Sequence, residues 1–562
     1  MTTSKNQRRP WFGGDTFEQL IAILMTLVVI QTAVVTYWFT LADDSNGDAG
    51  RDAQIFAMRG LSQQTVGSLK AGYDLTGAYQ RWVELNTLAK ISDEKGDVAA
   101  AERYRAVRDR VAKLSPMLQP PYFDPENDTT PDISRYEADT YVVETVALAE
   151  RFANQANLKS AWFDKASAFT THITLLAVAL FLFGLAATSK SRIRWIFVLV
   201  GFVIAAGTLV WMLWANFQPV NSLSDDAIKA YARGAGLAYQ GKSAEAIAAY
   251  DDALKLAPTY ASALRDRGLA ELNLYQYESA AKSFEQTRAA GDASSETAGN
   301  LAWTYYLLGK FPESIALNRV ALKTSPDEMW IHYNLALDLL AAGQNDAAKS
   351  EYTQAIDATI TQVARATAAK KQPSATLWWS IDAAADDLDL LLACVNRQEC
   401  DDTAPAKAIA NSDAVKRTAE ELRTQLKELA VALEYTGKPP SGTVAATIKP
   451  FRFAQEFDFV NDELTNIKAR QVFTDTETPV YVIFDYAGMH KGQLIVIKVF
   501  QNGVEDPRLR VVQEFGESDA AGTDTGFAIS TGGIPFAPGK YRVEMYIDSR
   551  LKQAGEFTLQ EP

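Results

Sequence analysis

Two cysteines and three histidines in 562 residues leave little material for thiol, metal or imidazole chemistry. The histidines, His172, His332 and His490, stand far apart. No His-Glu-x-x-His zinc motif, Gly-x-Ser-x-Gly elbow or phosphate-binding glycine loop occurs. Carboxylates are plentiful, as in Asp382, Asp386, Asp387 and Asp389, but that spacing reads as one solvated helix face. A paired-acid site has no sequence signature of its own, so an envelope enzyme is kept as a lesser alternative. The expectation is no enzyme, no catalytic residue, no metal and no cofactor. Basic surface is short as well, with 55 Lys and Arg against 69 Asp and Glu and a formal net charge of -14. No segment supplies the cationic face that a phosphate backbone demands, which excludes nucleic acid as a partner.

Cys394 and Cys400 are separated by Val-Asn-Arg-Gln-Glu. In an oxidising compartment that spacing closes a small loop as a disulfide, with free thiols as the alternative. A metal would need further ligands, and His332 is far off in sequence.

Charge is nearly missing from three runs, 17–41, 168–187 and 193–215. Each is about 20 residues or longer, enough for the ~30 Å hydrocarbon core of a bilayer. Lys5, Arg8 and Arg9 precede the first run, and Lys190, Arg192 and Arg194 fill the connection between the second and third. Asp43, Asp44 and Asp48 follow the first run, and Asp225 and Asp226 follow the third. Basic flanks stay in the cytoplasm, so the tail 1–16 and the turn 188–192 are expected there, with all other soluble parts outside. Lys159 and Lys165 dissent mildly beside Asp164. The first run ends in the interfacial group Tyr37, Trp38 and Phe39, which reads as an uncleaved anchor. The implied location is a bacterial-type cell membrane, crossed three times. His172, beside Thr171 and Thr174, marks either the outer interface or a helix contact.

Four windows beginning at Ala227, Ala261, Ser295 and Met329 keep a 34-residue register. Position eight holds Gly234, Gly268, Ala302 and Ala336, and position twenty holds Ala246, Ala280, Ser314 and Ala348, small residues where paired helices must touch. Gly241, Gly309 and Gly343 fall where a left-handed cap is wanted, with Tyr275 in that place in the second unit. Position twenty-four holds Tyr250, Phe284 and Tyr352, with Asn318 the exception, and Pro258 and Pro326 close two units.

Over 227–362 this resembles a tetratricopeptide-repeat (TPR) array. The resemblance implies a right-handed solenoid whose concave groove binds protein or peptide. Residues at groove positions are Tyr231, Tyr239, Arg265, Asn273, Asn300, Trp303, Tyr306, Trp330, Tyr333 and Asn334. Asn300 and Asn334 share position six, where the family's asparagines grip an extended backbone. The competing reading packs these aromatics between repeats. The family's paired Lys and Asn clamp for a terminal carboxylate is missing.

Around the array the chain divides further. Residues 42–167 read as an extracytoplasmic helical domain with helices over 51–71, 78–94, 98–114 and from 133 onward. Ala89, Gly96 and Ala101 fall at repeat-like positions there, although Arg105 and Arg108 occupy packing sites. Pro120, Pro121, Pro125 and Pro131 mark a rigid loop that contains a glycan acceptor triplet at Asn127. Anchor, helical bundle and return helix together resemble sensor modules of bacterial membrane receptors, the alternative functional reading. Capping helices are expected within 363–436 and a linker at 437–446. From 447 to 562 the period changes to that of an all-β sandwich, with turns at Asn502-Gly503 and Asp548-Ser549. Gly539 to Val543 resembles the tyrosine-corner stretch of immunoglobulin-like (Ig-like) sandwiches, with Val543 where antibody domains carry cysteine. The fold class expected is mainly α and multidomain: transmembrane helices, a TPR solenoid and a C-terminal β-sandwich. The functional expectation is a membrane-anchored extracytoplasmic scaffold that recruits or organises envelope proteins through its repeats.

Overall fold

The computed structural model describes residues 14–124, 130–396, 408–409, 412–460, 463–476, 478–516, 520–530 and 536–560. The basic tail, the glycan acceptor triplet and Cys400 lie outside these residues. Two compact units make up the chain, Met1–Ser279 and Ala280–Pro562.

In the first unit, the expected span over 17–41 and the separate helix over 51–71 turn out to be one helix of 60 residues, Gly14–Tyr73 (α1). No proline interrupts it, and Gly47 and Gly50 each cost only about 1 kcal/mol relative to Ala in a helix interior. Helices α2 (Gln80–Glu94) and α3 (Val98–Leu114) follow, with Gly96 at φ 75° in the turn. Ala89 and Ala101 are buried, so the small-residue device of the repeats recurs here. A short α4 (Ile133–Glu137) leads into the 46-residue α5 (Val143–Thr188), and α6 is Arg194–Phe217.

Three helical stretches, Thr16–Glu94, Ile133–Thr188 and Arg194–Phe217, are long and apolar enough to cross a membrane. Val28, Val35, Phe169, Leu176, Phe183 and Met212 form their shared core. Gly201 admits the Phe183 ring, since a Cβ there would stand 2.9 Å from it. His172 lies inside this bundle, edge-on to Trp211 at 4.3 Å between ring centres. The helix contact expected as one reading of this residue is therefore present.

The first repeat helices are α7 (Asp225–Tyr239), α8 (Ser243–Leu256) and α9 (Ala261–Asn273). Ser224 caps α7 by accepting from the Ala227 N–H at 3.2 Å. Gly234 lies flat against Tyr250, whose ring would be 2.6 Å from an added Cβ. The cap positions behave alike whatever fills them: Gly241 is at φ 74° and Tyr275 at φ 59°. Tyr275 is exposed, which leaves its side chain free of clashes.

The second unit contains α10 (Tyr277–Ala289, from residue 280), α11 (Ser295–Leu307), α12 (Phe311–Thr324), α13 (Met329–Ala341) and α14 (Asn345–Ala368). Two further helices, α15 (Ala375–Asn396) and α16 (Ser412–Thr436), close the array. Leu377, Ile381, Leu388, Leu422, Leu426 and Leu429 from them join Leu335, Leu339, Tyr352 and Ile356 of the last repeat in one apolar core. Cys394, near the end of α15, is disulfide-bonded.

The C-terminal domain has two main sheets. One has β6 (Val480–Ala487) at its centre, paired with β1 (Thr447–Ile448), β2 (Arg452–Ala454) and β10 (Ala521–Ile529). The other runs β5 (Val472–Phe473), β12 (Arg550–Leu559), β11 (Gly539–Ile547), β7 (Leu494–Gln501), with β8 (Val504–Glu505) and β9 (Val511–Glu514) on β7. A two-stranded ribbon, β3 (Asp458–Val460) with β4 (Glu463–Thr465), is separate. Phe453, Val482 and Phe484 of the first sheet share a core with Ile497, Val499, Val543, Met545 and Phe557 of the second. Both expected turns form: Asn502 and Gly503 have φ 49° and 87°, and Asp548 and Ser549 have φ 47° and 65°, the geometry of tight hairpins. Tyr541 donates from its hydroxyl to the Ala537 carbonyl at 2.8 Å, the bond that defines a tyrosine corner.

Candidate partner-binding surface of the repeats

The ten groove positions separate into enclosed and accessible groups. In the first unit, Tyr231 is buried and its hydroxyl donates to Asp266 Oδ2 at 2.6 Å. Burial and that carboxylate push the phenol far above its ordinary range. Tyr239 is half exposed but donates to Glu137 Oε2 of α4 at 2.5 Å. Arg265 pairs with Asp266 at 2.9 Å, and Asn273 is exposed. Two residues that sequence reasoning missed complete this patch. Tyr260 donates to Glu150 Oε2 of α5 at 2.8 Å, and Ser262 donates to the same oxygen at 3.4 Å. Burial raises the Glu150 carboxyl even against these bonds. Tyr239, Tyr260 and Ser262 of the first repeats are therefore engaged by the chain's own α4 and α5. No periodicity could have announced that, because Glu150 lies about 110 residues before its partner.

In the second unit, Tyr306 and Tyr333 belong to the core cluster that includes Leu377, Ile381 and Leu388 of α15. Tyr333 shares a hydrogen bond with Thr359 Oγ1 at 3.0 Å, and burial pushes its phenol up to about 12. Trp303 is partly buried and stacks on Tyr306, ring centres 5.1 Å apart at 18°. Trp330 lies against Gly299, where an added Cβ would come within 2.3 Å of the indole, so this ring packs between α11 and α13. Asn300 and Asn334 are partly exposed, and neither side-chain amide is hydrogen-bonded to another described residue. Unlike the aromatics beside them, these two amides have donors and acceptors to offer.

Of the α15 aspartates, Asp382 and Asp386 are exposed, as a solvated face requires, and Asp387 and Asp389 depart from it. Helix α15 packs on α13 and on α16, and that draws these two partly inward. Burial raises Asp387 to about 7. Burial acts the same way on Asp389, but Lys427, Arg542 and Arg423 outweigh it and hold the carboxyl below its ordinary value. Lys427 Nζ lies 2.9 Å from Asp389 Oδ2 and 2.8 Å from Glu544 Oε1 on β11, and Tyr546 donates to Glu544 Oε2 at 2.6 Å. A cavity of about 450 Å³ borders this network. Lys427, Arg423 and Arg542 pair with Asp389 and Glu544 there, an arrangement suited to fastening α16 and β11 together.

The family described as "Tetratricopeptide repeat" matches residues 231–294 and 266–328. Tetratricopeptide repeats occupy this part of the chain. Among solved structures, YrrB, described as a TPR protein with an unusual peptide-binding site, is 20% identical over 29% of this chain and 86% of its own, with a TM-score of 0.23. MamA from Desulfovibrio magneticus is 21% identical over 29% and 93%, TM-score 0.24. A tetratricopeptide repeat protein from Parabacteroides merdae is 14% identical over 61% and 99%, TM-score 0.23. No curated protein matches. The repeats are of a kind that mediates protein–protein interaction, and nothing in these likenesses specifies a ligand.

Proposed function

We propose that this chain is a membrane-anchored, extracytoplasmic scaffold whose repeats hold an extended segment of a partner protein of the cell envelope. One observation carries the reading: Asn300 and Asn334, at the same position of adjacent repeats, keep side-chain amides that no described residue engages. Asparagine amides so spaced suit the alternating N–H and C=O groups of an extended backbone. Trp303, partly buried beside them, supplies an apolar floor. The three apolar helices fix the chain in the bilayer, with the basic turn at 188–192 and the N-terminal tail on the cytoplasmic side. The β-domain, with its tyrosine-corner bond, serves as an Ig-like spacing or adhesive module.

The test uses tagged full-length chain in detergent-solubilised membranes, compared with the double variant Asn300→Ala/Asn334→Ala. The parent is expected to retain a partner that the variant holds about tenfold more weakly, or about 1.4 kcal/mol, with an unchanged melting profile. Equal retention by a folded double variant would remove the groove reading. Proteolysis of right-side-out vesicles checks the topology: cleavage is expected after Asn221, with 188–192 protected. Protection of the repeats would reverse the orientation.

A further inference from the structure

Beyond the end of its membrane span, α1 carries an apolar stripe that no described residue covers. Ile55, Met58, Val66, Leu69 and Tyr73 are 40–74% exposed. At 100° per residue they fall within an arc of about 80°. The opposite face of the same helix is already occupied. There Ala49, Ala53 and Ala71 are buried, Gly60 lies against Leu148 and Gly67 against Tyr141.

Lipid cannot cover the stripe. From Leu41 to Ile55 the helix rises about 21 Å, and to Tyr73 about 48 Å. The headgroup layer reaches only ~5–8 Å past the hydrocarbon. By ordinary side-chain areas the five residues expose on the order of 600 Å², at the upper end of what a monomer's largest patch shows and close to the ~800 Å² per partner of a stable interface.

The spacing identifies what fits. Ile55, Met58 and Ser62 are repeated after eleven residues by Val66, Leu69 and Tyr73. Steps of three, four and four residues keep one seam on a nearly straight helix, the pattern of an eleven-residue coiled coil. We infer that this seam pairs with the same seam of a second copy of the chain, in parallel, about a two-fold axis normal to the membrane.

The orientation rests on the membrane reading above. Two copies anchored by the same span leave the bilayer in the same direction and present identical residues at identical heights, the condition for an isologous contact. The flanking charges agree with that arrangement. Asp52, Arg59 and Lys70 border the seam on one side, and uncharged Gln54 and Thr65 border it on the other. Between Gln54 and Lys70 each charged flank of a parallel pair meets an uncharged one. Arg51, one turn before Ile55 on the same face, is paired with Asp48 of its own helix.

The experiment places single cysteines in the full-length chain in membranes. Met58→Cys and Leu69→Cys are expected to form disulfide-linked dimers on mild oxidation, and Ala57→Cys, exposed on another face of α1, is not. The double variant Met58→Glu/Leu69→Glu should fall from twice 61.7 kDa to one chain mass in detergent. Cross-linking at all three positions alike, an unchanged mass for the glutamate variant, or a parent that is monomeric would each overturn the pairing. A monomeric parent whose position 58 resists maleimide would instead place another part of the same chain on the stripe. Carbonate extraction of the same membranes separates the two readings. A chain that extracts yet still cross-links at 58 and 69 loses its membrane anchor but keeps its dimer.

Discussion

Ser314 Oγ lies 2.6 Å from Asp338 Oδ2 and 2.7 Å from the Ala302 carbonyl oxygen, both fully buried contacts. One hydroxyl proton cannot serve two acceptors. The conflict disappears if Asp338 is protonated and donates to Ser314, which then donates to Ala302. Burial, opposed by the Ser314 and Asn318 bonds, raises the Asp338 carboxyl to about 8, in accord with that assignment. Asn318 Nδ2 donates to the same oxygen at 2.8 Å. The two departures from the repeat pattern in the third unit, Ser314 and Asn318, thus have a common cause in the fourth.

The pH dependence follows. Between the ordinary carboxylate pKa near 4 and the folded value of about 8, the folded state binds a proton that the unfolded state has released. Stability from this group is therefore full at low pH and is lost as pH rises through that window. Thermal melts from pH 5 to 9 should show the parent's midpoint falling toward alkaline pH, and Asp338→Asn should flatten that slope. An identical slope in both proteins would place the proton elsewhere.

The contact of Trp330 with Gly299 separates packing from binding. Gly299→Ala drives a methyl into the indole and should cost roughly 1–3 kcal/mol in denaturant unfolding. Trp330→Ala should cost about 3–5 kcal/mol. The two changes should be less than additive together, because the smaller side chain accommodates the methyl. Full additivity would mean that the ring does not rest on the glycine in solution.

Lys427 stands between Asp389 and Glu544, and Glu544 is almost fully enclosed. Lys427→Met leaves a buried carboxylate short of a partner, for which about 3 kcal/mol or more is typical. Burial alone would raise Glu544, but Lys427 and Arg542 hold it below its ordinary value. Its stabilising share should therefore be present above that ordinary value and vanish as pH falls through the depressed one. Adding Glu544→Gln to Lys427→Met should recover most of the loss. No recovery would shift the cost of Lys427→Met from charge to lost side-chain packing.

The sequence alone determined whatever repeats locally. The 34-residue register located the helix pairs because small residues must recur where helices touch, and cap sites must recur where they turn. Runs of about 20 apolar residues located the three helices long and apolar enough to cross a membrane, since a bilayer sets the length such a helix must reach. Alternation and the Asn502-Gly503 and Asp548-Ser549 pairs located the hairpins. Only the tertiary structure decided what meets across sequence distance. It joined two expected helices into α1, because nothing between them could stop a helix. It brought Glu150 to Tyr260, Asp338 to Ser314 and Lys427 to Glu544, contacts between elements with no shared period. It also divided the groove residues into those enclosed by the chain's own helices and those still open. That division depends on what packs over a face, which the pattern of the face by itself does not contain.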